Sequence, residues 1–327
     1  MSETRSYTHN VRTAALVVLA IAATACASGG PDRPEVLTGS GGERILLTSD
    51  RDGDWEIFSI NTDGSDLQRH TDNMASDSEP AWSPDGKRIV FSSNYLEGAL
   101  QTTQTIINDE PMGVDVEVVG DLELRVTDSS KLDSVAVTDN SAGTDSSPDW
   151  SPDGSRIAFH SDFEENGVSE IYSMKPDGAD LIRLTDLGGM NRDPSWSPDG
   201  RTVAFAHFAA DWELYTVGAD GTGVGRLDGA GNGWQPAWSP VGDKIVFASQ
   251  RDGYWNLYLV QIDSGGLVRL TNSEGDNLEP VWSPTGDQIA FGSNRNGAFE
   301  IFVMDSNGDN VVSIGHDGFP YDWAVVG

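Results

Sequence analysis

The chain has 327 residues, with 52 acidic against 20 basic side chains, a formal charge of −32 and a single cysteine. That balance excludes a nucleic-acid binder, which needs cationic surface against phosphate, and a polybasic grip on anionic lipid. A hydrophobic content of 37% with 10 tryptophans is too high for a disordered acidic chain, so the charge reads as a solvated acidic shell around a folded core.

The chain opens with a polar stretch carrying Arg5 and Arg12, followed by 13 small or apolar residues from Thr13 to Ala25. This run is too short to span a bilayer and fits the apolar region of a signal peptide. It ends in Ala23-Thr24-Ala25-Cys26. The tetrapeptide resembles a bacterial lipobox, with Ala23 where Leu is usual, and the resemblance implies that Cys26 is diacylated and anchors the mature chain to a membrane. The other reading is a plain Ala-x-Ala cleavage site that leaves Cys26 a spare thiol. A lone cysteine in an exported protein is a liability, which favours the lipid. Ala27, not Asp, after the cysteine suits outer-membrane sorting in a cell with two membranes. The expected organisation is a signal peptide over 1–25, a Gly-, Ser- and Pro-rich tether over 26–42, and a repeat domain over 43–327.

Within 43–327, Pro-x-Trp-Ser-Pro occurs five times, centred on Trp82, Trp150, Trp196, Trp238 and Trp282, and Pro320-Tyr321-Asp322-Trp323 is a sixth, degenerate copy. The Trp-to-Trp spacings are 68, 46, 42, 44 and 41. Apart from the first, they match the roughly 40–45 residues of a four-stranded propeller blade. Ser83-Pro84-Asp85-Gly86 is a tight turn, with Pro at its second position and Gly where positive φ is needed. Strands such as Arg88-Ile89-Val90-Phe91, Glu170-Ile171-Tyr172-Ser173-Met174 and Leu181-Ile182-Arg183-Leu184-Thr185 follow, joined by Asp-Gly turns into a meander.

The pattern Pro-x-Trp-Ser-Pro-Asp-Gly, Ile-Ala-Phe, Glu-Ile-Tyr, Arg-Leu-Thr resembles the repeat of TolB-like propellers (the WD40-like, PD40-type repeat), from about residue 43 to 327. It implies an all-β fold, a six-bladed propeller of four-stranded antiparallel blades. The first repeat lacks its leading strand, and Phe319 to Val326 supplies it, so the C-terminal strand is expected to complete blade one and close the ring. The family also includes members with a separate α/β domain before the propeller; here a short tether precedes the first strand, which implies a relative and not an equivalent.

The six motif tryptophans are expected between blades, as core. Blade two carries an insertion, expected within about 95–145. With Arg125-Val126-Thr127 taken as its fourth strand, Thr127 to Pro148 is 21 residues, whereas Thr71 to Pro80, Thr185 to Pro194 and Thr271 to Pro280 are 9. That puts 12 extra residues in the fourth-to-first loop and most of the rest in the second-to-third loop. Both loops emerge on the face opposite the uniform Pro-Asp-Gly turns, where they would form a docking lobe.

Residues just before the repeated Pro should ring the channel mouth: Glu79, Ser147, Asp193, Gln235, Glu279 and Phe319. Asp50, Asp52 and Asp54 have the spacing that opens a calcium loop, which makes Ca2+ the one cofactor the pattern raises. Yet position twelve is Asn61, and the loop recurs at Gln250 to Gly253 and at Asn294 to Gly297, so a plain hairpin is the stronger reading. No Gly-x-Ser-x-Gly elbow or His-Glu-x-x-His helix appears. His160 and His207, 10 and 11 residues after their tryptophans, are the best enzymatic candidates, for a metal-dependent lyase or hydrolase acting on a glycan. A calcium-dependent glycan-binding or adhesion module is a third reading. The favoured one is a monomeric, non-catalytic envelope lipoprotein that binds a protein or peptide through its loop face and channel mouth. TolB-like propellers are known for such contacts.

Overall fold

The computed structural model describes residues 42–51, 53–95, 102–107, 110–115, 121–138, 143–164, 168–272 and 275–326, with 102–107 and 110–115 as backbone only. The expected signal peptide, Cys26 and the tether up to 41 lie outside the described residues. What is described forms six four-stranded antiparallel sheets and one two-stranded hairpin, and no helix.

Blade one combines Phe319–Val326, Gly42–Ser49, Glu56–Asn61 and Gln68–Arg69, in that order outward from the axis. Gly42–Ser49 pairs on one edge with Glu56–Asn61 and on the other with Phe319–Val326, so the two ends of the domain close the ring. Blades two to six begin at the axis with Asp77–Trp82, Asp145–Trp150, Met190–Trp196, Gly233–Trp238 and Asn277–Trp282. A β-bulge interrupts the first pairing of each blade, between Ser78 and Ala81 in blade two and at equivalent points elsewhere.

Each motif tryptophan stands in a different apolar cluster between blades. Trp82 packs with Leu46, Ile57, Ile89 and Phe91; Trp196 packs with Ala158, Ile171, Leu184, Val203 and Phe205. Trp150, Trp238, Trp282 and Trp323 fill the other four seams. Six seams and six tryptophans settle these residues as core. The Pro-Asp-Gly turns are structural in the same sense. Gly86 donates to Ser83 O (2.8 Å) at φ 67°, and Asp85 accepts from Ser83 Oγ (2.6 Å) and from Lys87 N (3.2 Å).

A second repeated device ties the third strand to the fourth. Thr71 Oγ1 accepts from Ile57 N (2.9 Å) and donates to Glu56; Thr185 does the same with Ile171 N (2.9 Å) and Glu170. Thr271 repeats it with Leu257 N (2.8 Å) and Asn256 (3.1 Å). In each case the two side chains are 15 residues apart.

This clip corrects the register of blade two. There the partners are Glu123 and Thr138, also 15 apart, with Thr138 Oγ1 accepting from Leu124 N at 2.9 Å. Glu123–Asp128 is therefore the third strand, paired with Arg88–Ser93, and Ser134–Ala136 is the fourth. Arg125-Val126-Thr127 imitates the Arg-Leu-Thr of a fourth strand but occupies the third. Consequently Thr138 to Pro148 is a loop of ordinary length, and the added chain lies between Asn94 and Leu122. Part of it is a hairpin of Thr102–Ile107 with Glu110–Asp115.

Candidate functional site at the propeller axis

The first strands of all six blades enclose a cavity of about 540 Å³. At one end stand Glu79, Ser147, Asp193, Gln235, Glu279 and Tyr321; the residues before the tryptophans (Asp149 and Asp322 among them) form a second tier, and the Ser-Pro turns the far end. The bulge explains why the first tier faces inward. Glu79, Ser147, Asp193, Gln235 and Glu279 all have φ between 50° and 53°, left-handed backbone that non-glycine residues rarely adopt. Its recurrence in five blades makes it an architectural bend that re-aims one side chain per blade toward the axis.

Neighbouring blades hydrogen-bond across the channel wall. Glu79 Oε2 accepts from Ser147 N (2.8 Å) and Ser92 Oγ (3.1 Å), and Ser147 Oγ donates to Asp193 Oδ1 (3.0 Å). Gln235 Oε1 accepts from Glu279 N (3.0 Å), while Gln235 Nε2 donates back to Glu279. In the second tier, Asp149 Oδ2 accepts from Trp196 N and Asp322 Oδ2 from Trp82 N, both at 2.7 Å. Glu79, Gln235, Asp149 and Asp322 each satisfy a backbone N–H of the next blade, so the polar lining also locks the ring.

Burial dominates the electrostatics. It raises the carboxyl of Asp149 to about 7, with the charge of Asp322 adding to the effect, and those of Asp193 and Asp322 to about 6. Glu79 is raised, and Glu279 is pushed well above the carboxylate range by burial and then by the charges of Asp193 and Glu79. Burial and the same carboxylates push the Tyr321 hydroxyl up as well. Arg192, beside Asp193 in the chain, is the cation that favours the charged forms of Glu79 and Asp193.

Of the residues expected at the mouth, Glu79, Ser147, Asp193, Gln235 and Glu279 line the cavity. Phe319 does not. Its ring packs on Phe299 (centroids 4.5 Å apart) and Trp55 (6.4 Å), and Tyr321 takes the axial place in blade one. The last copy of the motif has one residue more between Pro and Trp, so counting from Pro320 misses the position. Tyr321, Asp149, Asp322 and Arg192 are the site residues that sequence reasoning did not single out. Counting back one residue from each tryptophan would have found Asp149 and Asp322, whereas Tyr321 stands two before Trp323 and the axial residues of the other blades stand three before theirs.

His160 lies opposite Ser146 and His207 opposite Asn191, one register step apart. His160 shares the side of Ala158 and His207 that of Phe205, so the two stand on the facing walls of the seam between blades three and four. Burial, and then the nearby Arg192 charge, lowers His160 to about 3, whereas His207 Nδ1 is 2.8 Å from Asn191 Oδ1 and its ring meets Tyr215 edge-on. The proposed calcium loop is a hairpin turn. Gly53 N donates to Asp50 O (2.9 Å), and Gly253 to Gln250 O and Gly297 to Asn294 O repeat the bond. Arg51 stacks over Phe58 as Arg251 does over Tyr258 and Arg295 over Phe302. Asp52 lies outside the described residues. Among those described, no three His, Cys, Asp or Glu side chains converge as metal ligands.

The TolB beta propeller domain matches residues 109–227 and 222–326. This chain belongs to that family. The Tol-Pal system protein TolB of Desulfosudis oleivorans is 33% identical over 154 residues, 46% of this chain and 29% of that protein. The sequence matches span about a third of the length of the relatives compared. In fold, TolB from Acinetobacter baumannii superposes with a TM-score of 0.70 at 19% identity, over 86% of this chain and 66% of that one. The same architecture also carries enzymes. An oligogalacturonate lyase from Vibrio parahaemolyticus superposes at 0.50 with 12% identity, over 80% of this chain and 85% of that one.

Proposed function

We propose that this TolB-family propeller is a non-catalytic platform of the cell envelope that binds a protein or peptide at its channel mouth and loop face. We propose further that it is exported on the signal peptide of 1–25 and held to a membrane through a lipid on Cys26, with the tether over 26–42 and the propeller over 43–327. The observation that carries the reading is the inward-facing polar tier of Glu79, Ser147, Asp193, Gln235, Glu279 and Tyr321 above a cavity of about 540 Å³, built alike by all six blades. Relatives named for the Tol-Pal system support an envelope role with protein partners.

The test is in-cell crosslinking and affinity capture with a tag in the tether, because a C-terminal tag would sit on the closing strand. A reproducible partner that is lost when Glu79 and Glu279 are changed to bulkier residues supports the platform. No partner, under conditions that capture a control lipoprotein, refutes it.

A further inference from the structure

The cavity lining holds five carboxyl groups, Glu79, Asp193 and Glu279 in one tier and Asp149 and Asp322 in the next, and no Lys, Arg or His. Arg192 is close enough to act on Glu79 and Asp193, but it is not part of the lining, and no cation acts on Glu279. Asp193 Oδ2 is buried and makes no hydrogen bond of normal geometry, although the Trp234 indole approaches Asp193, and a native interior seldom leaves such an atom without a ligand or ion to explain it. The walls between the carboxyls are apolar, with Trp82, Trp150, Trp196, Trp282 and Trp323 and the motif prolines.

We infer that the axial cavity takes the side chain of a lysine or arginine presented by the partner, its charged head among Glu79, Asp193 and Glu279 and its apolar stem along the tryptophan and proline wall. The inference rests on the platform reading and names the chemistry of what enters it. A compact metal ion fits poorly, because the carboxyls do not converge to ligating distance among the described residues. An ammonium or guanidinium on a flexible stem suits acceptors spread over two tiers. Its apolar stem suits the wall between the tiers, and the cavity is within the roughly 300–1,000 Å³ usual for small-ligand sites. With its carboxyls raised by burial, the empty channel holds protons; a cation would displace them, so binding should release protons near neutral pH.

The test uses the purified propeller and a short blocked peptide with one arginine among glycines, compared with the same peptide carrying glutamine. Binding is read by intrinsic tryptophan fluorescence and by calorimetry in two buffers of different ionisation heat. The arginine peptide should bind about tenfold or more tighter than the glutamine one, with proton release. Glu79→Gln/Asp193→Asn/Glu279→Gln should abolish that preference. Asp85→Asn/Asp153→Asn/Asp199→Asn, an equal charge change on the turn face, should leave it. Arg192→Met should strengthen binding severalfold, a gain that misfolding cannot imitate. Equal losses from both triple variants would reduce the effect to the diffuse field of an acidic protein and overturn the inference. So would full displacement by millimolar calcium, which would make the cavity an ion site. These outcomes are independent of partner capture: a captured partner with no arginine preference leaves the platform standing and removes the side-chain assignment.

Discussion

Asp149→Asn tests the electrostatics of the channel directly. The carboxyl of Asp149 moves from an ordinary 3.8 to about 7 on folding, so the folded chain holds its proton more tightly than the unfolded one. The charged form is therefore a burden on the fold, absent below about pH 3, growing as pH rises through the unfolded value, and fully present above pH 7. Three units correspond to a ceiling of about 4 kcal/mol at pH 8. Coupling to Asp322 spreads part of that over the pair, which leaves about 2–3 kcal/mol for one substitution. Asparagine keeps the acceptor for Trp196 N and removes the charge. Urea denaturation should find Asp149→Asn more stable than the parent by that amount at pH 8, and indistinguishable from it near pH 3. Taking the difference between variant and parent at each pH cancels the general repulsion of a strongly acidic chain. A variant less stable than the parent at pH 8, or a difference independent of pH, would refute the reasoning.

Four further outcomes follow from the packing. Trp196→Ala should cost about 3–5 kcal/mol, because the side chain is 6% exposed and fills one seam; equilibrium unfolding gives the value. Thr185→Val strands both Ile171 N and a bond to Glu170, and should destabilise by about 2–4 kcal/mol in the same assay. Removing Phe319–Val326 opens the ring, and hydrogen exchange should then report loss of protection in Gly42–Ser49 before the other blades. Deleting the 96–120 segment should leave the unfolding midpoint of the propeller nearly unchanged, since the clip from Glu123 to Thr138 is kept.

How much was legible beforehand depended on what each repeated residue does. The tryptophan spacing counts blades because each indole fills one seam, and closure was readable because blade one lacks a first strand that the C-terminus supplies. Blade two misled because three residues, Arg125-Val126-Thr127, mimic a motif whose meaning comes from a partner 15 residues earlier. The Glu-to-Thr spacing carries the register, and it points to Thr138. At the site, the tier before each proline was readable because the bulge recurs. The positions of Asp149 and Asp322, one before their tryptophans, could have been counted, but their role could not, since it depends on a backbone N–H in the next blade that no local pattern encodes. His160 and His207 differ by a single step of alternation, which sets them on opposite faces of their own blades and so on the two walls of one seam.

The closing arrangement also sets how the domain bears load. Gly42–Ser49 is hydrogen-bonded along both edges, so a pull applied at Gly42 must slide that strand past two neighbours at once and cannot peel it from a free side. Tension carried by whatever precedes residue 42 would be resisted in shear by the joint between the first and last strands. The seam that completes the ring is then also the place where the propeller is hardest to unravel from its amino end.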